Sequence, residues 1–339
     1  MIKKRLKLTS IFISLLIVFT TLTSCNKSAN KSEIQKVRLN EVVRSVFYAP
    51  MYVAINKGYF KEYNIEIELS TGQGADKTMQ QVLSGSADIG FCGPEQVIYI
   101  YNQKRDDYPI IFAQLTQRDG SFLVGRSEDK SFNWDSLKGK TIIGGRPGGV
   151  PEMALEYVLK DHKLVPNKDV KLITNLAFTA TAGAFKAGTG DYVALFEPTA
   201  TMIEKDNSGK IVASIGESAG VMPYTCYFST KSYIDKNPKV IENFIKAIFK
   251  AQTWVKENDN DRIAEEIKSF FPGTDVKDLS SVIKNYKKIN AYACNPTLKK
   301  EDLNKLMNII QSYNKELIPE KPPFEKIVNT NLSNKAIIN

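Results

Sequence analysis

Residues 85–95 read Gly85-Ser86-Ala87-Asp88-Ile89-Gly90-Phe91-Cys92-Gly93-Pro94-Glu95. The stretch predicts three events in close succession. A helix over Ala75–Leu83 stops, with Gly85 as its C-cap. A short buried strand runs Asp88–Cys92. A new helix covers Pro94–Asn102, with proline near its start, where the missing N–H costs nothing. Working upstream, Lys36–Val43 reads as a strand and Pro50–Tyr63 as a helix broken near its end by Gly58. Ile65–Leu69 alternates Ile and Glu, as a half-buried strand does. Downstream, Tyr108–Leu115 is a further strand. This alternation argues for an α/β fold with a parallel-rich sheet covered by helices on both faces.

A second run repeats the scheme. Ser121–Gly125, Thr141–Gly144, Val170–Thr174, Tyr192–Phe196 and Ile211–Ile215 read as strands. Pro151–Lys160, Ala180–Lys186 (ended by Gly188) and Thr199–Lys205 read as helices between them. Tyr224–Ser229 looks like a strand again. From Asn237 onward the pattern is helical. Asn237-Pro238 is a cap with proline at the first turn. Val240, Ile241, Phe244, Ile245, Ile248, Ala251 and Val255 form one apolar stripe. Further helices are expected at Asp261–Phe270, Val276–Tyr286 and Lys300–Asn314, then an extended or looped tail at Pro319–Pro323. Two arrangements fit: two domains in series, or two lobes between which the chain crosses and returns. The crossing candidates are Thr116–Phe122 and Met222–Tyr227. In the two-lobed case a cleft lies at the carboxyl ends of the strands, where open parallel sheets bind ligands.

The chain has 339 residues, 42% apolar and 24% charged, an ordinary globular composition that excludes wholesale disorder. The net charge is +9. Lys3, Lys4, Arg5 and Lys7 precede every acid, so the remainder is only mildly basic and gives no sign of nucleic-acid binding. Met1–Lys7 is a basic n-region and Leu8–Leu22 an apolar stretch, short against the ~20 residues of a spanning helix. Leu22-Thr23-Ser24-Cys25 resembles a bacterial lipobox, which implies a signal peptide over residues 1–24 and a diacylglycerol on the Cys25 thiol. An ordinary signal peptide with an incidental cysteine and a single-pass anchor are the alternatives. Residues 25–35 read as a polar, flexible tether.

Four strand-to-helix loops should face the cleft: Arg44–Pro50, Cys92–Glu95, Gly144–Gly149 and Phe196–Thr199. Each presents backbone N–H groups and a positive helix end. Gly144-Gly145-Arg146-Pro147-Gly148-Gly149 is neither a P-loop nor a dinucleotide fingerprint. It is either a tight turn or a place of close backbone approach to a ligand, with Arg146 as a charged clamp. Glu197 is either a helix-terminal carboxylate or an acceptor for an N–H-rich ligand. Phe47, Tyr48, Phe178 and Tyr224 are either core or a sandwich for a planar ring. Gln114, Gln117 and Arg118 flank the first crossing and bond either the ligand or the hinge. His162, the sole histidine, reads as a solvated helix end. Cys92, Cys226 and Cys294 read as buried or semi-buried thiols; a Cys92–Cys226 disulfide is an alternative outside the cytoplasm, although the spacing gives it no support. No metal site or cofactor is expected.

The run Ala49–Phe60 and the segment Gly85–Gly90, which fits "SG-x-ADIG", resemble signatures of solute-binding proteins of ABC importers for nitrate, sulfonates and taurine. Relatives in that group bind pyrimidine precursors of thiamine. Asp135–Thr141 resembles the "DLKGK" motif at the start of the second lobe, and Phe196-Glu197-Pro198 the aromatic–acid–proline motif. The resemblance runs from about Lys36 to Trp254. It implies a bilobed, type II periplasmic-binding-protein-like fold. Two mixed sheets are flanked by helices and joined by two hinge crossover strands, with a helical C-terminal tail. Residues 36–115 and 225–339 would form lobe I, and 116–224 lobe II. It also implies a cleft at Phe47, Tyr48, Gly93, Pro94, Arg146, Gly148 and Glu197, with Gln114, Arg118 and Tyr224 on the hinge side.

The expected function is a non-enzymatic, lipid-anchored receptor on the extracytoplasmic face of the membrane. It would hand a small molecule to an ABC permease and its ATPase. The ligand would be a planar nitrogen heterocycle or a small sulfonate-like anion. One branch of the family consumes a histidine in pyrimidine synthesis, but His162 lies outside every matched motif. A synthase-like enzyme and a non-transport sensor lipoprotein are the competing readings.

Overall fold

The computed structural model describes residues 34–338. The signal peptide, the lipidation expected at Cys25 and the tether up to Glu33 lie outside the described residues.

Two five-stranded sheets carry the chain. In the first, β1 (Gln35–Glu41) pairs in parallel with β2 (Ile65–Thr71) on one side and β3 (Ile89–Cys92) on the other. Strand β4 (Pro109–Thr116) forms the far edge. Strand β10 (Thr225–Thr230) is inserted antiparallel between β3 and β4. In the second sheet, β6 (Thr141–Ile143) pairs in parallel with β7 (Lys171–Ile173) and β8 (Tyr192–Phe196). Strand β5 (Ser121–Gly125) runs antiparallel between β8 and β9 (Lys210–Ser214). The sheets are therefore mixed, and one physical reason explains both reversed strands. A strand inside a β–helix–β unit ends at the cleft. The strand that arrives from the other lobe begins there and must run away from it. Strand β5 follows the first crossing and β10 follows the return. The sheet thus accepts a chain entering from the hinge without a further crossover.

The helix over Pro50–Tyr63 breaks at Gly58 as expected, into Ala49–Asn56 and Tyr59–Glu62, because Gly58 takes a left-handed φ of 71°. Other elements end elsewhere than expected. The strand expected to reach Ile215 stops at Ser214. Its side chain accepts the Glu217 N–H and caps a helix over Ile215–Ala219. The helix expected to reach Phe270 ends at Ile267 and tightens into a 3-10 turn over Lys268–Phe270. Beyond Pro323 the chain is helical again, at Phe324–Ile327 and Thr330–Ile338.

The helix Pro238–Glu257 buries Ile241, Phe244, Ile245, Ile248, Ala251 and Val255, while Val240 stays half-buried. Thr330–Ile338 packs on it. There Glu242 receives Lys239 and Lys246 at 3.1 Å each and Lys335 at 3.0 Å. The three ammonium groups hold its carboxyl at about 2, and the lysine hydrogen bonds outweigh the desolvation that opposes them. The helix Lys300–Tyr313 packs against Val150–Asp161, the helix that follows β6. Lys160 donates to the Ser312 carbonyl at 2.9 Å and Lys305 to that of Ala219 at 2.5 Å. The helical tail thereby braces elements attached to both sheets.

Candidate functional site

The loops after β3 and β6 are built alike. After β3 come Gly93, Pro94 and Glu95, and Glu95 opens the helix Glu95–Asn102. The Glu95 carboxylate folds back onto Gly93. A Cβ at residue 93 would collide with Glu95 Oε2, so any other residue there must displace the carboxylate. After β6 come Gly144 and Gly145, with Glu152 in the first turn of Val150–Asp161. A Cβ at residue 144 would stand 2.2 Å from Glu152 Oε2. That oxygen accepts the Gly145 N–H at 2.6 Å. Gly144 thus stands against the chain's own carboxylate, while Gly145 supplies only its backbone N–H. Gly148 is required by its left-handed φ of 75°.

Both carboxylates are buried, and Glu95 Oε2 and Glu152 Oε1 have no hydrogen-bond partner. Desolvation pushes each carboxyl up to about 7. Weaker opposing pulls come from the Glu95 backbone N–H, the Gln96 amide and Arg146 on Glu95, and from the Gly145 N–H on Glu152. The loop after β6 touches two helices of the first lobe, Ala75–Leu83 and Glu95–Asn102. Tyr99 donates its hydroxyl proton to the Gly148 carbonyl at 3.3 Å, and Arg146 pairs with Asp76 at 3.4 Å. The Arg146 side chain is largely exposed, so this pair sits at the rim.

Three further buried acids stand at the ends of β1 and β8 and at the first crossing. Glu41, at the end of β1, accepts from Tyr52 at 2.6 Å, Arg44 at 2.6 Å and Thr71 at 3.0 Å. Asp119, at the first crossing, is held by the Ser121 N–H at 2.8 Å, the Ser121 hydroxyl and the Tyr224 hydroxyl. Burial lifts its carboxyl to about 6. Glu197, at the end of β8, accepts from the Thr201 N–H at 2.9 Å, the Thr201 hydroxyl at 2.8 Å and Asn285 Nδ2 at 2.6 Å. Burial again raises it. Asn285 lies on the helix Val276–Lys288, so this bond ties the second sheet to the C-terminal helices.

The aromatic residues gather into one cluster. Phe47 has ring centroids of Tyr286 at 4.7 Å, Tyr224 at 5.6 Å, Tyr48 at 5.7 Å and Phe196 at 6.3 Å. Phe178 is exposed and borders the cluster through Phe196, at 5.8 Å. Gln114 bonds the Thr297 carbonyl and Gln117 that of Asn290, so both brace the crossing against the tail. Arg118 reaches the Glu217 carbonyl at 3.3 Å, while its buried Nε has no partner. Pro94 is the N-cap of the Glu95 helix. Glu95, Glu152, Asp119 and Tyr286 were not singled out from the sequence. The shared Pro-Glu at Pro94-Glu95 and Pro151-Glu152 was the available signal.

His162 caps the far end of Val150–Asp161, about 15 Å along the helix from Glu152. It pairs with Asp135 at 3.4 Å and stacks on Trp134. Of the three described cysteines, Cys92 and Cys226 are buried as expected, whereas Cys294 is exposed. Among the described residues no cluster of His, Cys, Asp or Glu is placed to hold a metal ion. No helix there is long and apolar enough to cross a membrane. A surface groove of about 400 Å³, lined by Tyr59, Tyr63, Lys250 and Trp254 among others, lies away from these loops. The strand-end loops, where buried carboxylates lack partners, are the better candidate.

Two mixed sheets joined by two crossings, with acid- and aromatic-lined loops facing each other, define a two-lobed binding protein of the type II periplasmic class. Comparison with known proteins agrees. The chain belongs to the NMT1/THI5-like family, whose model matches residues 46–261. YtlA of Bacillus subtilis (strain 168) is 44% identical over 303 residues, covering 89% of this chain and 90% of that protein. The 4-amino-5-hydroxymethyl-2-methylpyrimidine phosphate synthase THI13 of Saccharomyces cerevisiae is 24% identical over 264 residues, 73% of each chain. The periplasmic aliphatic sulphonate binding protein SsuA of Escherichia coli shares the fold with a TM-score of 0.70 at 15% identity. That match covers 88% of this chain and 99% of SsuA.

Proposed function

We propose that this protein is an extracytoplasmic solute-binding protein, anchored by lipid at Cys25, that delivers a small molecule to an ABC permease. Its ligand is a planar, N–H-rich molecule, neutral or cationic. Glu95 and Glu152, from facing loops, each carry a buried oxygen with no hydrogen-bond partner, and this observation supports the ligand class most strongly. A buried acceptor left unpaired costs on the order of 1–3 kcal/mol. A ligand N–H group at each would recover that cost. Five buried acids at strand ends and the first crossing, when ionised, disfavour a sulfonate or nitrate by like-charge repulsion. The Phe47, Tyr48 and Tyr224 rings offer faces for a planar ligand. Arg146 and Asp76 act as a rim contact between the lobes. Glu197 remains a candidate acceptor, although three donors already hold it.

Closure about the two crossings would bring ligand contacts from both lobes together. A thermal-shift panel of aminopyrimidines, alkanesulfonates, taurine and nitrate tests the reading. Heterocycles should raise Tm and Glu95→Gln should suppress the rise. A shift with anions alone would overturn it.

A further inference from the structure

Cys92 is the last residue of β3 and Cys226 the second of β10. The two strands are antiparallel, and their register sets Cys226 directly opposite Cys92. The next pair in that register, Phe91 and Tyr227, lies side by side, with ring centroids 4.4 Å apart and planes at 21°. Side chains alternate faces along a strand, so Cys92 and Cys226 share the opposite face as immediate neighbours. Directly opposed residues in an antiparallel pair have Cα atoms about 4.5–5.5 Å apart. Disulfides span about 4.4–6.8 Å. Both residues are completely buried, and both are free thiols in the structure.

We propose that Cys92 and Cys226 are a disulfide-forming pair, joined as the chain folds outside the cytoplasm. The compartment rests on the extracytoplasmic reading above; the pairing rests on register alone. The oxidant is a protein or small-molecule disulfide. One cysteine thiolate attacks it, its S–S bond breaks, and one oxidant sulfur leaves as a thiolate. The second cysteine thiolate then attacks the mixed disulfide and releases the other oxidant sulfur. Two thiols lose two protons and two electrons, and the oxidant becomes two thiols. In the folded protein, burial raises both thiols well above their usual range and blocks approach. Exchange therefore precedes final packing, and the finished bond is shielded from reductant.

The loop closed by this bond contains β4 and the entire second sheet, so it restricts the unfolded chain strongly. It also pins the cleft floor. Cys92 precedes Gly93, and Cys226 follows Thr225, whose hydroxyl bonds Tyr48.

The test uses the full-length chain extracted from membranes in detergent, denatured with iodoacetamide and no reductant, and mapped by mass spectrometry. Alkylated Cys294 with a linked Cys92–Cys226 peptide pair is expected. In parallel, the reduced, urea-denatured chain is refolded with oxidised glutathione. The same link should form and raise Tm by about 5–10 °C over refolding in reductant. Cys92→Ala and Cys226→Ala should each abolish that oxidant-dependent difference. Both cysteines alkylated in chains that have lost their leader, or either one linked to Cys294, would overturn the proposal. If the chain retains its leader, the compartment reading fails, and the glutathione arm alone decides the pairing.

Discussion

The helix starts at Glu95 and Glu152 solve the same problem on opposite lobes with different means. Each follows a strand, each places a proline directly before the acid, and each needs a glycine against the carboxylate. Lobe I does this in the short run Gly93-Pro94-Glu95. Glu95 has the help of its own backbone N–H, of the Gln96 side chain at 3.4 Å and, from further off, of Arg146. Lobe II uses the long glycine-rich loop, which bends far enough for Gly145 to donate its N–H to Glu152. In each loop one backbone N–H is the main pull against desolvation, and it solvates only part of the buried charge. Each loop leaves one oxygen of its acid to whatever enters the cleft. A buried acid kept without a full set of partners is expensive for folding alone, which is why the pair points to ligand recognition.

The comparison predicts unequal effects. Glu95→Gln should weaken ligand binding about 10–100-fold, a charged hydrogen bond being worth about 1.5–3 kcal/mol. Glu152→Gln should cost less, because its carboxylate already accepts the Gly145 N–H at 2.6 Å. Isothermal titration of both variants checks this, and a larger loss at Glu152 would invert the comparison. Next in size, Gly93→Ala and Gly144→Ala should each destabilise the fold by roughly 1–3 kcal/mol through overpacking against a carboxylate. Denaturant midpoints measure it, and an unchanged midpoint would show that the acid can swing away freely.

The pH response should be smaller and opposite in two assays. A carboxyl raised from 4.5 to about 7 binds more protons folded than unfolded between those values. Ligand-free stability should therefore fall from pH 6 to pH 8, by about 1 kcal/mol per group. Affinity for an N–H-donating cation should rise over the same interval, because binding favours the ionised acid. Parallel rather than opposed trends would separate these acids from the ligand. Smallest of all, Arg146→Ala should change binding by less than about 1 kcal/mol, as exposed ion pairs do. A larger loss would return Arg146 to the role of a ligand clamp.

Much of the fold was legible because its signals are local. Apolar runs between glycines marked β3, β5 and β8, and Asn237-Pro238 with its stripe marked the long helix. The site was less legible. Phe47, Tyr48 and Tyr224 join one aromatic cluster, but that cluster is completed by Tyr286 from the distant helical tail. Glu197 stood out through its motif, yet its partner Asn285 is equally remote. The helix Thr330–Ile338 was missed because its hold is the Lys335–Glu242 contact and packing on another helix, not a pattern of its own.

By itself, then, the sequence determined the alternation of strands and helices, the two-part organisation and the loops that end at the cleft. Those features follow from side-chain periodicity and from glycine and proline geometry, which act within a few residues. Only the tertiary structure decided which strand is reversed in each sheet, that Glu95 and Glu152 keep unpaired oxygens, and that Cys92 stands opposite Cys226. Those outcomes depend on register and burial between segments far apart in the chain, where local propensity carries no information.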